Sequence, residues 1–449
     1  MKKTLSIITV FVLSLCFILV GCSKPLKMPT GKEDVLQVAS NGGSVVSVEE
    51  YVYFANTFVD YTTLSGNDNT KKTTKHNALY RIKTNEYGYV TKDEDGKLEN
   101  LERVYSKIAG FNNSNMFVVG NYLYFTSPNT HKEQKTGNDR FDLTTLFRIK
   151  LDGTGLKEIL TTKTTQGKFY LVTEENPYLL IFDDNKISKL QIKEKLPNVE
   201  VLVSDVLDVV FPKQYGQLNL LYYTTDISED DKDAGLTGNY LNELNLLTNQ
   251  TRSLGKPLSQ TITLVSYENG VLYYKLLQNG IALYYGDDLT LGFGANQVQY
   301  TILGEVDGED SVSQFTPINS DNVVYKAESK IYLSTKAEGN VANYDIVLVN
   351  KDANIEYVEG DYVYYTTTNG LYRISYRDRV VQTIAEQKNI KQGSCDIAGE
   401  YVYFYAKLDT NTTETYYAFR ANLKTAEINN PKYECIATIL AEDLTGEAE

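Results

Sequence analysis

The sequence predicts an all-β protein built from repeated four-stranded sheets. The chain contains 36 Tyr, 9 Pro and no Trp, and it has no long apolar stripe with a 3.6-residue period; this combination favours sheet over helix. A short apolar strand pattern also recurs along the chain, with spacings mostly near 40–50 residues, which is typical of propellers and other repeat arrays. Its eight copies begin at Tyr51, Tyr122, Tyr178, Leu220, Val271, Asn322, Tyr362 and Tyr401.

The seventh copy shows the whole unit. The run Ile355–Val358 precedes the turn pair Gly360-Asp361, and Tyr362 opens the second strand. A short hairpin leads to Leu371–Ile374, and a second turn leads to Val380–Ile384. Gly, Asn and Asp accept the backbone conformations of tight hairpins. Each unit is therefore predicted to contain four antiparallel strands, named A to D in chain order.

These strands are apolar on both faces, and an isolated sheet of this kind would expose one face to water. A radial arrangement buries each face against the neighbouring sheet and protects most sheet edges. The sequence therefore predicts a β-propeller. Eight blades are favoured, with seven as the alternative, because the third and fourth copies match the pattern least well.

The repeats resemble a known propeller family. Tyr122–Ser127 followed by Leu146–Gly153 is similar to the Tyr-Trp-Thr-Asp repeat of lipoprotein-receptor ectodomains and to related repeats in bacterial lipoproteins. Ala78–Lys83 and Ala418–Leu423 match the same third strand. The resemblance implies the fold rather than a function, and the chain lacks the tryptophan of the receptor repeat.

The amino terminus predicts export and lipid anchoring. Lys2 and Lys3 precede an apolar run that ends in Leu19-Val20-Gly21-Cys22, and such a run after a basic start is typical of a secretory signal. The ending is similar to the lipobox of bacterial lipoproteins, which implies cleavage before Cys22 and lipidation of that residue; an uncleaved anchor helix is the alternative. We therefore expect a signal peptide over 1–21, a tether over 22–43 and one propeller domain over 44–449. The protein would be extracytoplasmic and anchored to a bacterial membrane through Cys22.

Charge and cysteine content narrow the partners. The formal net charge is −14 at pH 7, which disfavours nucleic acid as a partner. Cys395 and Cys435 remain in the body, and their places on strands A and D of the last repeat put them well beyond the roughly 7 Å limit between Cα atoms for a disulfide. Two buried free thiols are expected, and the protein is taken as a monomer.

Few residues suggest catalysis or a cofactor. The only histidines are His76 and His131, and neither has a second ligand at zinc spacing. No nucleophile elbow, phosphate loop or dinucleotide fingerprint occurs, and the absence of Trp argues against a quinone-cofactor propeller. No cofactor and no metal are expected. Two acidic loops are weak calcium candidates, although neither has EF-hand order; their ligands would be Asp93, Asp95, Asp231 and Asp233.

Loop length points to one face of the ring. The hairpin between strands B and C is short in the seventh repeat but extends over 56–77, 128–143 and 226–238 in the first, second and fourth repeats. All B–C hairpins of a propeller emerge on one face, and long loops on a rigid scaffold often carry recognition. The first two inserts form a predicted basic patch consisting of Lys71, Lys72, Lys75, His76, His131, Lys132, Lys135 and Arg140.

These features predict a non-enzymatic recognition or scaffolding propeller of the cell envelope, with a protein or an anionic glycan as partner. The alternative to recognition is that the inserts are polar surface loops that bind no ligand. A glycan-active hydrolase or lyase is a second hypothesis, and a sensor or accessory subunit of an envelope transport machine is a third. Catalysis would require acids on strand A near the channel. The A strands at 44–48, 116–119, 261–264 and 355–358 are instead mostly apolar or hydroxylic.

Overall fold

The structure is a computed structural model of the chain. The structure describes residues 26, 29, 36–37, 45–58, 78–85, 90–94, 97–109, 116–129, 140–163, 167–174, 176–192, 199–212, 216–255, 261–278, 281–289, 292–295, 297–300, 312–319, 321–327, 329–335, 343–350, 352–408, 415–427 and 430–437.

The secondary structure is almost entirely strand. Up to the second blade the strands are β1 Leu36–Gln37, β2 Val45–Val48, β3 Tyr51–Ala55, β4 Thr57–Phe58, β5 Ala78–Lys83, β6 Leu101–Ile108, β7 Phe117–Val119, β8 Tyr122–Asn129, β9 Arg140–Lys150 and β10 Lys157–Thr161. The next two blades contain β11 Lys168–Val172, β12 Tyr178–Asp183, β13 Lys186–Gln191, β14 Val199–Val203, β15 Val206–Val210, β16 Leu220–Asp226, β17 Asn239–Asn245 and β18 Gln250–Ser253.

The second half of the chain continues the same order. Blades five and six contain β19 Ile262–Glu268, β20 Val271–Gln278, β21 Ile281–Asp288, β22 Gln297–Tyr300, β23 Val312–Asn319, β24 Asn322–Ala327, β25 Lys330–Thr335 and β26 Asn343–Val349. Blades seven and eight contain β27 Asn354–Glu359, β28 Tyr362–Thr367, β29 Gly370–Ser375, β30 Val381–Ala385, β31 Asp396–Ala398, β32 Tyr401–Ala406, β33 Tyr416–Asn422 and β34 Tyr433–Cys435. Two short helices are α1 Glu229–Asp233 and α2 Leu423–Glu427.

These strands form eight antiparallel sheets, each with four consecutive principal strands in the order A-B-C-D. The inner strands of blades 4 to 7 contact one another in sequence, and β31 of the last sheet contacts β2 of the first. The protein is therefore an eight-bladed β-propeller, which confirms the predicted fold and excludes the seven-bladed alternative. All eight predicted copies of the motif begin at the first residue of a B strand.

Packing on both faces of each blade explains the apolar pattern. On β28, Tyr364 packs with Tyr403 and other residues of blade 8. Val363 and Tyr365 point the other way and pack with Val324 of blade 6. Each B strand is thus buried from both sides, as the sequence predicts for a radial arrangement of sheets.

The strongest repeats share a buried arginine on strand C. In blade 1 the Arg81 guanidinium lies over the Tyr51 ring, 4.3 Å from its centre, and donates hydrogen bonds to the Tyr53 hydroxyl at 3.3 Å and to the Glu102 carboxylate at 2.7 Å. Burial removes water from the Tyr53 hydroxyl and raises its pKa to about 12. Blades 2, 7 and 8 repeat the stacking of arginine on tyrosine with Arg148, Arg373 and Arg420. The Tyr-x-Tyr of strand B and the arginine of strand C, which follows Tyr or Phe, are therefore the two halves of one buried unit.

The weaker repeats replace this unit. Blade 3 places Lys189 over the Tyr178 ring. Blade 4 inverts the ion pair, because Glu243 occupies the strand C position opposite Tyr222 and binds Arg252 on strand D, with 2.7 Å between Nε and Oε1.

Blade 5 has no strand C side chain at the equivalent position. Gly286 lies opposite Tyr273, and a Cβ there would lie 2.8 Å from the Tyr300 hydroxyl oxygen. Tyr300, on strand D, fills the space instead.

The ring has two distinct ends. We call the end that carries the A–B hairpins and the C–D turns the A–B face, and the opposite end, with the B–C hairpins, the B–C face. A backbone hydrogen bond joins the two kinds of turn in blades 1–4, 7 and 8; in blade 2, for example, the Leu151 N–H donates to the Asn121 carbonyl oxygen at 3.0 Å. In the blade 5 hairpin, Asn269 and Gly270 both have positive φ values of 52° and 84°, as a tight two-residue hairpin requires.

The first insert helps to close the ring. Residues Thr57 and Phe58 form β4, which pairs with Tyr417 and Tyr416 at the start of β33 in the last blade. Part of the first predicted recognition loop is therefore a structural tie between the first and last blades.

Candidate functional site

The hairpins on the B–C face differ in length around the ring. In blades 3 and 7 the B–C hairpins contain two residues between the strands, at 184–185 and 368–369, whereas blade 1 has 59–77 between β4 and β5. The inserts of blades 1 and 2 leave neighbouring blades, since Tyr105 of blade 1 packs on Phe125 of blade 2 with ring centres 5.0 Å apart. The strand ends that flank these two inserts therefore lie on the same face of neighbouring blades.

Most of the predicted basic patch lies outside the described residues, namely Lys71, Lys72, Lys75, His76, His131, Lys132 and Lys135. Arg140 is the first residue of β9 and pairs with Asn129 of β8. Strand pairing therefore extends further than expected, and the loop of blade 2 covers 130–139 rather than 128–143.

The blade 4 insert is described and is acidic. It contains α1, whose amino terminus is capped by the Ser228 side chain. Lys232 forms ion pairs at 3.0 Å with both Asp226 and Glu229. The insert is therefore an ordered, charged projection on the B–C face, with a sign opposite to that predicted for the inserts of blades 1 and 2.

The calcium candidates have other partners where they are described. The Asp93 carboxylate accepts a hydrogen bond from the Lys97 N–H at 2.8 Å, and Asp231 accepts from the hydroxyls of Ser228 and Tyr240. Asp233 lies in α1, and Asp95 is outside the described residues. Within the described part of the chain, no group of three His, Cys, Asp or Glu side chains is arranged to hold a metal ion.

A cavity of about 690 Å³ opens at the A–B face of the central channel. Blades 3 to 7 line it through the ends of their A strands and their A–B hairpins. The polar and aromatic lining side chains include Tyr170, Gln217, Asn219, Tyr267, Glu268, Asn269, Tyr357 and Glu359. Ser266 donates a hydrogen bond to Glu268 at 2.9 Å.

Sequence reasoning missed this cavity. The expectation of apolar or hydroxylic A strands holds along the segments inspected, but the last A-strand residue before the turn is glutamate in blades 5 and 7. Glu268 and Glu359 occupy these positions. A signal was therefore present in the residue that precedes each turn pair, although the contributing residues are far apart in the chain.

A second cluster of titratable groups lies between the inner strands of blades 7 and 8. The Glu356 carboxylate accepts hydrogen bonds from the Thr366 hydroxyl at 2.7 Å and from the Gly393 N–H at 2.8 Å. Desolvation by burial nevertheless raises the pKa of Glu356. Burial also raises the pKa of the Cys395 thiol, and the neighbouring Glu356 carboxyl group raises it further. A protonated thiol is a poor nucleophile, so this cluster is better suited to holding blades together than to catalysis.

The same junction contains Asp396. Its carboxylate accepts hydrogen bonds from the N–H groups of Val45 and Ile397, yet burial raises its pKa to about 7. Val45 begins the inner strand of blade 1, so this carboxylate joins the last blade to the first. Cys395 and Cys435 are both free thiols, as predicted, but they are half-buried rather than fully buried.

The fold and these surfaces define the class of protein as an eight-bladed propeller with inserts on one face and a cavity on the other. No family model matches the chain, and no curated protein matches it. Within the described residues, no helix is long and apolar enough to cross a bilayer.

Several solved structures match the chain at low identity. A puromycin hydrolase mutant matches with 11% identity and a TM-score of 0.46 over 72% of this chain and 53% of that chain. A prolyl endopeptidase matches with 10% identity and a TM-score of 0.45 over 85% and 55%, respectively. The Dos1 propeller matches with 9% identity and a TM-score of 0.44 over 85% and 92%. The chain thus spans about half the length of the two hydrolases, and no residue role is transferred from any of the three.

Proposed function

We propose that this protein is a lipid-anchored recognition propeller of a bacterial cell envelope that binds an envelope protein or an anionic glycan through its B–C face. The observation that carries the proposal is the unequal length of the B–C hairpins on a rigid, closed ring. Neighbouring blades 1 and 2 project long inserts, whereas blade 3 ends in the two-residue hairpin Asp184-Asn185. Binding residues are disproportionately carried by such loops on rigid scaffolds.

Charge favours an anionic partner. The whole chain has a net charge of −14, but the inserts of blades 1 and 2 contain five lysines and both histidines of the chain, and Arg140 follows the second insert. A local basic patch on an acidic body attracts anions to one place and repels them elsewhere, which favours one binding orientation. Teichoic-acid-like polymers and acidic protein surfaces have the required chemistry.

The binding experiment uses the intact protein and charge reversal. Lys71, Lys72 and Lys75 are replaced together by Glu, and retention of purified cell-envelope polymer and envelope proteins on the immobilised protein is measured. A matched control reverses three exposed cations of the A–B face, Lys97, Arg377 and Lys424. The proposal expects loss of retention for the first variant only. Equal retention by both variants would contradict it.

The anchor is tested separately. We expect the wild-type protein in the membrane fraction, with acyl chains on Cys22 detectable by mass spectrometry. The Cys22→Ser variant should lose the modification and move to the aqueous fraction or remain as an unprocessed precursor. An unmodified wild-type Cys22 would refute lipid anchoring without affecting the proposed binding face.

The cavity supports a second candidate function, a glycan-active hydrolase or lyase. Glu268 and Glu359 provide two carboxylates in a concave site with three tyrosines, and paired acids are what glycoside hydrolysis requires. Release of reducing ends from envelope glycans that disappears in both Glu268→Gln and Glu359→Gln would favour this candidate. Unchanged polymer after incubation with the wild-type protein would exclude it for the glycan tested.

A further inference from the structure

The chain just after the predicted lipidation site is attached to a particular part of the ring. The Leu26 N–H donates a hydrogen bond to the Asp152 carbonyl oxygen at 3.1 Å. The Leu26 side chain packs against the core cluster shared by blades 1 and 2. One of its methyl carbons would lie 3.7 Å from a Cβ built on Gly153. Asp152 and Gly153 belong to the C–D turn of blade 2, so Leu26 is held at the A–B face.

The next described segment lies at the same end. Strand β1 pairs antiparallel with β7, the inner strand of blade 2, so that Leu36 is opposite Val119 and Gln37 is opposite Val118. Because β7 runs into the A–B hairpin at Gly120, Val119 is its residue nearest to the A–B face. Strand β1 therefore enters the channel from the A–B face and continues toward the B–C face.

Chain length limits how far the anchor can lie from this attachment. Leu26 is four residue steps after Cys22, and an extended chain spans at most about 3.3–3.6 Å per residue. Cys22 therefore lies within roughly 14 Å of Leu26. A B strand of about six residues is about 20 Å long, so the B–C face is farther from the anchor than the A–B face by about that amount.

We infer that the propeller is held with its A–B face toward the membrane and its B–C face pointing away from it. This inference rests on the proposed lipidation of Cys22, and it assigns the partner of the A–B face as the bilayer surface. The B–C inserts then point toward molecules outside the membrane, whereas the central cavity opens toward the lipid headgroups.

The chemistry of the A–B face fits a surface held near the headgroups without inserting into them. This face carries acids and bases together: Glu50, Asp361 and Glu400 form ion pairs with Lys83, Arg377 and Lys424, and Glu49 precedes Glu50 in the blade 1 turn. Opposite charges that pair on one face largely cancel its field, so we do not attribute the orientation to attraction between this face and the headgroups. The covalent anchor and the Leu26 attachment supply it instead.

The orientation is tested with the lipidated full-length protein in phosphatidylcholine vesicles that contain phosphatidylcholine with a nitroxide on its headgroup. Single cysteines for a fluorophore are placed at exposed positions of the A–B face, Lys97→Cys or Glu400→Cys, and of the B–C face, Asp230→Cys or Asn369→Cys. The protein without an added cysteine measures background labelling of Cys395 and Cys435. Neutral lipid removes electrostatic contributions to the orientation.

We expect several-fold stronger quenching of the A–B labels than of the B–C labels. Leu26→Ser should leave flotation with the vesicles unchanged and reduce the difference between the faces, because it removes the apolar contact that fixes the tether. Equal quenching of both faces in the wild-type protein, or stronger quenching of the B–C labels, would overturn the orientation alone. A wild-type protein that does not float with vesicles would overturn the anchor and the orientation together.

Discussion

The Tyr405 hydroxyl donates a hydrogen bond to the Ala55 carbonyl oxygen at 2.8 Å, and these two buried residues are 350 positions apart. Tyr405 lies on β32 of the last blade and Ala55 on β3 of the first. Each principal sheet is made of consecutive strands, so ring closure depends on contacts between blades 8 and 1. The pairing of β4 with β33 and the Asp396 hydrogen bond to Val45 reinforce the same junction.

Tyr405→Phe should therefore weaken the closure of the ring. A buried hydrogen bond contributes about 1 kcal/mol to stability, and we expect a loss of this order in the free energy of unfolding measured with denaturant. Tyr433→Phe, which changes a tyrosine that is 38% exposed in the same blade, is the matched control and should have little effect. Equal losses in the two variants would show that the Tyr405 hydroxyl does not contribute to closure.

The inverted ion pair of blade 4 predicts the result of a charge swap. Glu243 is buried while Arg252 is mostly exposed, with side-chain exposures of 7% and 65%. Arg252→Glu would place a second carboxylate beside Glu243 and should destabilise the protein by about 1–2 kcal/mol after allowance for solvent screening. The double variant Glu243→Arg/Arg252→Glu restores the polarity seen in blades 1 and 8, so it should recover most of this loss.

A double-mutant cycle measured by chemical denaturation tests this directly. A double variant that is as unstable as the sum of its two single variants would mean that the two side chains are not energetically coupled. The ion pair of Arg81 and Glu102 in blade 1 is the reference for the double variant, because it already has arginine on strand C and glutamate on strand D.

Asp396 predicts a pH dependence of stability with a definite sign. Its pKa is about 7 in the folded protein and 3.8 in the reference state, so the folded state binds a proton more tightly than the unfolded state. The contribution of this group is therefore most favourable below about pH 4 and is lost as the pH rises toward 7. When the pH is lowered from 7 to 5, the free energy of unfolding of the wild-type protein should rise by about 2 kcal/mol relative to that of Asp396→Asn.

Glu356 must be considered in the same measurement, because burial also raises its pKa. The Asp396→Asn variant should keep a smaller slope of the same sign, and Asp396→Asn with Glu356→Gln should remove it. Parallel stability profiles for the wild-type protein and Asp396→Asn would show that Asp396 has no raised pKa in the folded state.

The sequence could predict the fold because each blade is encoded locally. Tyr-x-Tyr on strand B and an aromatic residue followed by Arg on strand C are short patterns, and hairpin pairs such as Asn269-Gly270 precede strand B, so strand starts follow from nearby residues. Blade 4 was harder to recognise because exchange of the Glu243 and Arg252 charges removes the motif while keeping the contact.

The candidate surfaces were less predictable because they depend on distant residues. The basic inserts could be assigned to the B–C face from strand order alone. The cavity could not be found in this way, since Glu268 and Glu359 belong to different blades and line one cavity only through the curvature of the ring. The pairing of Leu36 with Val119 is also invisible in the sequence, because a two-residue strand carries no detectable period.

The two thiols provide a prediction about reactivity. Burial raises the pKa of Cys435 to about 11 from a reference value of 9.0, and it raises the pKa of Cys395 as well. The thiolate is the reactive form, so at pH 8 Cys435 should react with iodoacetamide about a hundredfold more slowly than an unperturbed cysteine. Cys395 should also be slow, since Glu356 beside it disfavours a second negative charge. Both rates should rise to the ordinary value in denaturant, and the comparison is made by mass spectrometry of peptides after timed alkylation.

A Glu356→Gln variant that retains its fold should speed alkylation of Cys395 while leaving the rate of Cys435 unchanged. Rapid alkylation of both thiols in the folded wild-type protein would contradict the burial that raises the pKa values of Cys395 and Cys435.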